Sequence, residues 1–501
     1  MIFLLQTGYD FPIVLYSNWL NYFEINIMAN NLGLTEKDLI EARKKKLLEI
    51  KKLGIDPYPA ESFRDHTAEE ILKNVEKFIS SKDNVTVCGR IMALRGHGKL
   101  VFCDIVDESG KIQAVFKFDL LGDDFELVPL LDLGDFVEAT GIIFMTNAGE
   151  VTIQAEKLKI LSKSLRPLPD AHYGFKDPEA RFRERYVDLL INPEVKEKFF
   201  VRSIIIQTLR DYLIDKGFVE VDTPVLQSVA GGASAKPFIT HYNAYDRDVF
   251  LRIAPELYHK RLIVGGFEKI FEFARCFRNE GVDPTHNPEF TNLEFYWAYA
   301  DYEKMMDLVE DVIRKIVIAI NKGDLHYKIN DIEIDFSKKF ARKTFAEVTK
   351  GENSDEAFKK GLAEITAPTF VTNHPTALIP LAKKNAKNPE VVDTFQLIIG
   401  GLELTKAFSE LNDPTDQRER FAEQMKMRQK GDEEAQAVDE DFLKALEYGM
   451  PPTSGCGIGI DRLVRVLTNS NTLREILLFP FMKTDETSVS AKASLDKKPH
   501  K

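Results

Sequence analysis

Four residues with the chemistry of a nucleotide site lie close together in one stretch, residues 277–296. Arg278, Glu280, His286 and Phe290 supply a cation, an acceptor, an imidazole and an aromatic ring. An arginine can hold a phosphate through two parallel hydrogen bonds, and an aromatic ring can stack against a base. A hairpin whose charged loop is only solvated is the alternative interpretation, but the loop is long for a hairpin. The stretch therefore predicts a site for a nucleotide and its phosphates.

Two strands must position these side chains. Side chains alternate between the two faces of a strand, so in residues 269–278 the phenylalanines share one face, while Glu272 and Arg278 share the other. In the return strand Glu294 and Tyr296 also share a face. Because an aromatic face is typical of a core, we expect the two polar faces to form the floor of the site.

The stretch FRNEGVDPTHNPEFTNLEFY, residues 277–296, closely resembles motif 2 of class II aminoacyl-tRNA synthetases, in the form found in lysyl-tRNA synthetases of the bacterial type. Similar segments extend from about Asn84 to Phe481, including FSELN at 408–412 and GIGIDR at 457–462. The resemblance implies an α+β fold, with an N-terminal OB-fold β-barrel and a class II catalytic domain on an antiparallel sheet. It also implies a ligase that activates L-lysine with ATP and transfers it to the 3′ end of tRNA(Lys).

The resemblance assigns roles to individual residues. Arg278 and Arg462 would be catalytic, because they balance the charge that develops as a carboxylate attacks the ATP α-phosphorus. The lysine site would comprise Gly232, Glu256, Arg278, Tyr296, Lys406, Phe408 and Glu410. The ATP site would comprise Arg278, Glu280, His286, Asn287, Phe290, Glu403, Gly457, Gly459 and Arg462. A buried carboxylate such as Glu410 requires a cation, which the substrate ε-ammonium would provide.

Two residues depart from the family pattern. The family carries two glutamates for Mg²⁺, whereas this chain has Gln396 at the first position and Glu403 at the second. Loss of one formal charge should lower the affinity for the metal. Lys406 replaces an asparagine that contacts the substrate carboxylate. It could supply that contact as a cation, or its ammonium could fold toward Glu410 and mimic the substrate.

A second module precedes the catalytic segments. Five short β-patterned runs between residues 84 and 160 predict a small barrel of the OB type. Pattern alone slightly favours ordinary surface roles for Arg90 and Gln113 and a core position for Phe102. The resemblance instead implies that these three residues hold the central anticodon base, which proteins bind by stacking and by hydrogen bonds to its edge.

Segment boundaries follow from composition. We expect an extension at 1–27 (absent if Met28 is the true start), a basic helical segment at 28–75, an anticodon-binding domain at 76–165, a catalytic domain at 166–483 and a disordered tail at 484–501. A helix from Thr35 to Leu53 carries many basic residues, and their proximity to an RNA-binding module predicts a phosphate-binding face. Residues 218–226 resemble motif 1, which implies a homodimer, although a plain helix–strand unit explains them equally well.

Composition excludes several classes of protein. The formal net charge of −12 argues against general adhesion to nucleic acid but permits a local basic patch. Four scattered cysteines without a CxxC pair predict neither structural zinc nor disulfides, and they favour the cytoplasm. We expect no membrane partner, because the apolar N-terminal run lacks the pattern of a signal peptide or a spanning helix.

Three alternative functions remain open. An aspartyl or asparaginyl enzyme would have an acidic pocket facing an acidic substrate, which Glu256 and Glu410 disfavour. A short lysine-adenylating modification enzyme should lack the OB module. A catalytically weakened tRNA-binding paralogue is supported only by Gln396 and Lys406.

Overall fold

The computed structural model describes residues 35–169, 175–431 and 437–483. The predicted extension at 1–27 and tail at 484–501 lie outside these residues. The chain divides into two compact units, residues 1–174 and 175–501. The domain boundary that we predicted at residue 165 stays a prediction.

The first unit is built around a closed five-stranded barrel with the strand order β1-β2-β3-β5-β4. Its strands are β1 (Val85–His97), β2 (Leu100–Val106), β3 (Lys111–Lys117), β4 (Phe136–Met145) and β5 (Val151–Ser162). Its helices are α1 (Glu36–Lys52), α2 (Ala68–Lys73), α3 (Val75–Ser81) and α4 (Phe118–Leu121), and a 3-10 helix spans Gly122–Leu130. Alternate residues of the strands fill the interior, as the sequence pattern predicts, so the OB-type barrel is confirmed.

Helix α1 begins with a capping box. The Thr35 hydroxyl accepts from the Asp38 amide, and the Asp38 carboxylate accepts from the Thr35 amide. Two of its basic residues are buried rather than presented to solvent. Arg43 donates to the carbonyl of Arg166 at 2.8 Å, and Lys46 pairs with buried Asp132 at 2.7 Å. The phosphate-binding face that we predicted on this helix is therefore smaller, because these two cations hold the helix to the barrel.

The second unit contains an eight-stranded sheet with the order β14-β15-β16-β17-β18-β11-β10-β6. Its strands are β6 (Val219–Glu220), β7 (Leu226–Gln227), β8 (Ile239–Tyr242), β9 (Arg247–Leu251), β10 (Lys269–Phe277), β11 (Glu289–Ala298), β12 (His326–Ile329), β13 (Ile332–Asp335), β14 (Ala341–Thr344), β15 (Thr369–Thr372), β16 (Thr394–Ile399), β17 (Leu402–Ser409) and β18 (Thr453–Gly459). Strands β7, β9 and β8 form a small separate sheet, and β12 pairs with β13.

The helices of this unit surround the large sheet. They are α5 (Pro178–Arg183), α6 (Arg185–Ile191), α7 (Pro193–Asp215), α8 (Glu256–Val264), α9 (Tyr302–Ile320), α10 (Phe345–Val348), α11 (Asp355–Leu362), α12 (Pro414–Gln429), α13 (Glu440–Glu447), α14 (Ile460–Leu467) and α15 (Leu473–Ile476), with 3-10 turns at Asn243–Tyr245 and Thr376–Leu378. The strands of the central hairpin, β10 and β11, end close to the predicted positions. The class II α+β architecture is thus confirmed.

One face of the sheet is covered by the main apolar core, and the opposite face carries a smaller apolar cluster and a cavity. Phe271, Leu293 and Phe295 belong to the main apolar core, together with residues of α7, α9 and α14. Side chains alternate along a strand, so the neighbours of these residues project to the opposite face. Among the described residues, no helix is long and apolar enough to cross a membrane.

Candidate active site

The face of the sheet opposite the main core carries two rows of side chains, each interrupted by a glycine. Lys406 and Glu294 both pair with Gly457, so they lie on either side of it across three adjacent strands. In the next row, Phe408 and Tyr296 lie on either side of Gly455. Because glycine has no side chain, β18 forms the floor of a groove whose walls are the flanking side chains of β17 and β11. A cavity of 430 Å³ opens above this floor.

One half of the cavity is acidic. Glu256, Glu294 and Glu410 all line it, and each carboxylate comes from a different element. The Lys260 ammonium lies 2.8 Å from Glu256 Oε1 and 2.5 Å from Glu410 Oε2. Sequence reasoning missed Lys260, although its position one turn after Glu256 on a helix is a detectable signal.

Burial sets the protonation of this acidic half. Burial, with a contribution from the neighbouring Glu256, raises the pKa of the Glu294 carboxyl to about 8. Burial also raises the pKa of Glu410, against the attraction of Lys260. Burial alone would lower the pKa of the Lys260 ammonium, but Glu256 and Glu410 outweigh it and raise the pKa. Lys260 thus pairs with two of the three carboxylates, and a cationic ligand would favour the ionised forms of Glu294 and Glu410.

Glu294 was expected at the floor but was not assigned a role. Its Oε1 accepts from Asn292 Nδ2 at 2.9 Å, and its Oε2 accepts from the Tyr296 hydroxyl at 3.3 Å. The neighbouring Glu410 Oε1 is buried without a hydrogen-bond partner. A methyl group on Gly455 would lie 2.1 Å from this oxygen. The glycine therefore leaves just enough room for the carboxylate to project into the cavity.

The other half of the cavity is cationic. Arg278, Lys406 and Arg462 line it, and none of them pairs with a carboxylate within the described residues. Arg278 Nε is buried without a partner, and its guanidinium lies 5.1 Å from the centre of the Phe290 ring. Unpaired cations and an orphaned donor are typical of a site for an anionic ligand. Lys406 does not pair with Glu410, since Lys260 already makes that contact.

The predicted nucleotide residues lie around this cationic half. Arg462 donates to His286 Nε2 at 3.1 Å, and His286 Nδ1 faces Asp283 Oδ2 at 2.8 Å. Aspartate therefore favours the tautomer with the proton on Nδ1, which leaves Nε2 as the acceptor. Asn287 donates to the Glu289 carbonyl at 2.7 Å.

The remaining predicted ligand residues also reach the cavity. Its wall includes Gly232, Glu280, Phe290, Glu403 and Gly459. The structure thus brings together every residue that we assigned to lysine or ATP. It adds Asn292 and the loop that contributes residues 378–381.

The two predicted metal ligands are separated by their environments. Glu403 lines the cavity, whereas Gln396 is 6% exposed and lies against His374, with Gln396 Oε1 3.1 Å from His374 Nε2. Burial, with a further contribution from Lys406, lowers the pKa of His374 to about 3, so the imidazole is neutral. No cluster of three potential metal ligands occurs among the described residues. Glu403 therefore lies on the cavity wall, Gln396 lies beside His374, and their role as a metal pair stays a prediction.

The barrel of the first unit presents a second candidate site. Phe102 and Gln113 project outward on adjacent strands, and Asp104 lies directly opposite Gln113. The arginine opposite Phe102 is Arg95, which binds Asp104 with nitrogen–oxygen distances of 2.6 and 3.2 Å. Strand pairing thus groups Arg95, Phe102 and Gln113 on one surface.

The predicted Arg90 occupies a different position on the barrel. It donates to the Gly134 carbonyl at 2.9 Å, and its guanidinium lies 4.2 Å from the Phe136 ring. Sequence reasoning missed Arg95. Its signal is the two-residue turn at 98–99, which pairs residue 95 with residue 102.

Comparison with known proteins identifies the family. Residues 177–483 match a family model described as tRNA synthetases class II (D, K and N), and residues 85–161 match an OB-fold nucleic acid binding domain. The chain is 46% identical to a lysine–tRNA ligase of Carboxydothermus hydrogenoformans over 89% of this chain and 98% of the relative. A lysine–tRNA ligase of Bacillus subtilis is 43% identical over 89% of this chain and 97% of its own length. The chain therefore belongs to the class II tRNA synthetases of the D, K and N group.

Proposed function

We propose that this chain is a lysine–tRNA ligase that forms lysyl-adenylate from L-lysine and ATP and then transfers lysine to the 3′ end of tRNA(Lys). The observation that carries the proposal is the charge of the acidic half-cavity. Within the described part of the chain, Lys260 is the one ammonium that pairs with Glu256 and Glu410, and Glu294 has no ion pair, so the pocket retains two negative charges when all three carboxylates are ionised. Lysine brings two ammonium groups, whereas aspartate or asparagine brings one.

The division of the cavity into two halves orients the substrates. The two ammonium groups of lysine would face the glutamates, with Tyr296 beside the ε-ammonium. The carboxylate would then point toward Arg278 and Lys406. ATP would lie over Gly457 and Gly459, with its base stacked on Phe290 and its phosphates near Arg462. The opposite charges of the two halves fix this orientation and disfavour the reverse one.

The chemistry requires positioning and charge balance rather than a side-chain nucleophile. A lysine carboxylate oxygen attacks the α-phosphorus, the bond to the bridging oxygen breaks, and pyrophosphate leaves. A ribose hydroxyl of the tRNA then attacks the acyl carbon, loses its proton and releases AMP. Arg278 and Arg462 stabilise the negative charge that builds on the phosphoryl oxygens.

Magnesium enters this proposal as part of the substrate complex MgATP. Glu403 is the carboxylate of the predicted metal pair that faces the cavity, and it is the one positioned to meet such an ion. Gln396, the other residue of the predicted pair, lies beside His374 and is absent from the cavity wall.

Recognition of the tRNA would use the barrel. Phe102 offers a ring for stacking, and Gln113 offers an amide for the edge of a base. Gln113 Oε1 already accepts from the Thr152 hydroxyl at 2.9 Å, which orients its amide group. Arg95, rather than Arg90, is the guanidinium placed beside them.

A homodimer and a cytoplasmic location complete the proposal. Phe200 and Ile204 on α7 are 52% and 40% exposed, and Leu226 and Ile239 nearby in the chain are 52% and 62% exposed. Large apolar side chains left exposed in a segment that resembles motif 1 suit a second copy of the chain. The four cysteines are unpaired, which suits a reducing compartment.

Lysine-dependent exchange between ATP and pyrophosphate tests the proposed function. The purified full-length chain should incorporate labelled pyrophosphate into ATP with lysine but not with aspartate or asparagine. Exchange with aspartate or asparagine instead would refute the assignment of the substrate. Absence of exchange with all three, in a folded protein that still binds tRNA, would indicate the catalytically weakened paralogue.

A further inference from the structure

Lys260 is a fully buried cation that neither substrate could reach. Its side chain is 0% exposed and it is absent from the cavity wall. The ammonium lies behind two cavity glutamates, 2.8 Å from Glu256 Oε1 and 2.5 Å from Glu410 Oε2. Phe408 and Phe442 flank it, with ring centres 5.7 and 5.9 Å away. A buried ammonium is costly unless it is paired, and both of its partners belong to the substrate site.

Lys260 joins two carboxylates from different elements. Its ammonium meets Glu256 at Oε1 and Glu410 at Oε2, while Glu410 Oε1 is buried without a hydrogen-bond partner. Glu256 begins helix α8, whereas Glu410 directly follows strand β17. One ammonium therefore joins two elements that are remote in sequence and leaves Glu410 Oε1 available to a ligand.

Among the described residues, no other cation forms an ion pair with the three cavity glutamates. The third cavity carboxylate, Glu294, has no ion-pair partner in that part of the chain. The nearby cations form ion pairs with carboxylates outside the cavity. Arg252 pairs with Glu272 at 2.5 Å, and Arg261 pairs with Asp439 at 2.6 Å.

We propose that Lys260 is a positioning residue that sets both the spacing of Glu256 and Glu410 and the charge that the pocket presents to its amino acid. The proposal rests on the function proposed above. With Lys260, three ionised carboxylates leave a charge of −2, which two substrate ammonium groups neutralise. Without it, the charge would be −3, so the carboxyls would hold their protons more tightly and lysine would have to displace more of them to bind. The fixed spacing would also discriminate lysine from ornithine, which is one methylene shorter.

A pair of matched variants separates this role from a purely structural one. Lys260→Met removes the ammonium and keeps an unbranched side chain. Arg261→Met removes the adjacent cation of the same helix, whose partners Asp439 and Asp441 lie outside the cavity. We expect Lys260→Met to raise KM for lysine at least tenfold with a smaller change in kcat, and to leave KM for ATP unchanged. Arg261→Met should change neither KM.

The pH dependence supplies a readout that loss of packing would not move. Groups that face Lys260 or its partners are Glu256, Glu294, Tyr296 and Glu410, with the His259–Glu272–Arg252 cluster on the neighbouring side. In Lys260→Met the carboxyls must lose a proton before lysine binds, so KM for lysine should fall more steeply between pH 6.5 and 8.5 than in the wild type. The ratio of kcat/KM for lysine over ornithine should also decrease.

The outcomes are distinguishable. If the wild type exchanges with lysine while Lys260→Met keeps its KM, pH profile and ornithine discrimination, this inference is overturned and the proposed function stands. Similar KM changes in both variants would also overturn it. If Lys260→Met does not fold, the double variant Lys260→Met/Glu256→Gln restores the charge of −2. It should fold and keep the wild-type pH profile despite a higher KM. A shifted profile, or failure of the double variant to fold, would show that Lys260 serves only the fold.

Discussion

Replacing Glu294 by glutamine should stabilise the protein and weaken its affinity for lysine. The Glu294 side chain is buried in β11, and burial raises the pKa of its carboxyl from an ordinary 4.5 to about 8. Between these values the folded chain holds a proton that the unfolded chain releases, so the stability of the wild type decreases as the pH rises. Glutamine keeps the shape and can still accept from Asn292, but it has no proton to lose.

The magnitude follows from the pKa. One pKa unit corresponds to about 1.36 kcal/mol. At pH 7 the carboxyl of the unfolded chain is ionised, whereas that of the folded chain still holds its proton. The pH then lies roughly 2.5 units above the pKa of the unfolded chain, so Glu294→Gln should raise the free energy of unfolding by about 3 kcal/mol at pH 7. At pH 5 the same calculation gives about 0.7 kcal/mol. The stabilisation should therefore be several times larger at neutral pH than in acid.

Equilibrium unfolding in urea provides the assay. The chain has two tryptophans, and Trp297 lies on the same strand as Glu294. In a Trp19→Phe background its fluorescence reports the catalytic unit alone. Glu289→Gln on the same strand is the control, because Glu289 is exposed and should show no pH-dependent gain. An equal effect of Glu294→Gln at pH 5 and pH 7, or a loss of stability that grows with pH, would refute the reasoning. The variant should also show a higher KM for lysine, as expected when a binding group is removed in favour of stability.

Three further predictions concern other parts of the molecule. Gly455→Ala should reduce lysine-dependent exchange by on the order of a hundredfold, because a methyl group 2.1 Å from Glu410 Oε1 must displace that carboxylate. The control Gly457→Ala, whose added methyl would have its nearest contact at 3.3 Å, should retain far more exchange activity. Equal losses of activity in the two variants would contradict this explanation. Arg95→Ala should raise KM for tRNA about tenfold without affecting exchange, as expected for the loss of one base contact, whereas a larger effect of Arg90→Ala in aminoacylation would favour the arginine first assigned. Lys163→Met should destabilise the barrel by about 3–5 kcal/mol, because it leaves two buried aspartates with too little positive charge; an unchanged melting temperature of the first unit would contradict it.

Local pattern predicted the strands of the central hairpin and of the barrel, and the family resemblance predicted most of the residues that line the cavity. Alternation along β10 and β11 identified the polar face that carries Glu294 and Tyr296, because a strand exposes every second side chain to the same side. The motif 2 residues to which we assigned a role all line the cavity, because they lie in one hairpin and its loop: Arg278, Glu280, His286, Asn287 and Phe290. The five barrel strands were likewise predictable from alternation and turns.

Residues that meet across the fold were decided by tertiary structure. Lys260 appears in sequence as one more basic residue on a helix, and only the approach of β17 shows that it pairs with Glu410. Gln396 is predicted as a metal ligand from its position in the chain, and only the fold shows that it contacts His374 and is absent from the cavity wall. In these cases the partner is remote in the chain, so no local period records it.

Strand register and burial explain the remaining differences. Arg90 and Arg95 lie on the same strand of the barrel, and only the pairing with β2 shows which of them faces Phe102. Lys46 looks like part of a solvated basic face, yet a buried aspartate from another segment makes it part of the core. The sequence by itself thus determined which elements form and which chemical groups they carry, because propensity and alternation are local. Tertiary structure decided which charges meet, because the energy of a buried charge depends on partners that only folding brings within reach.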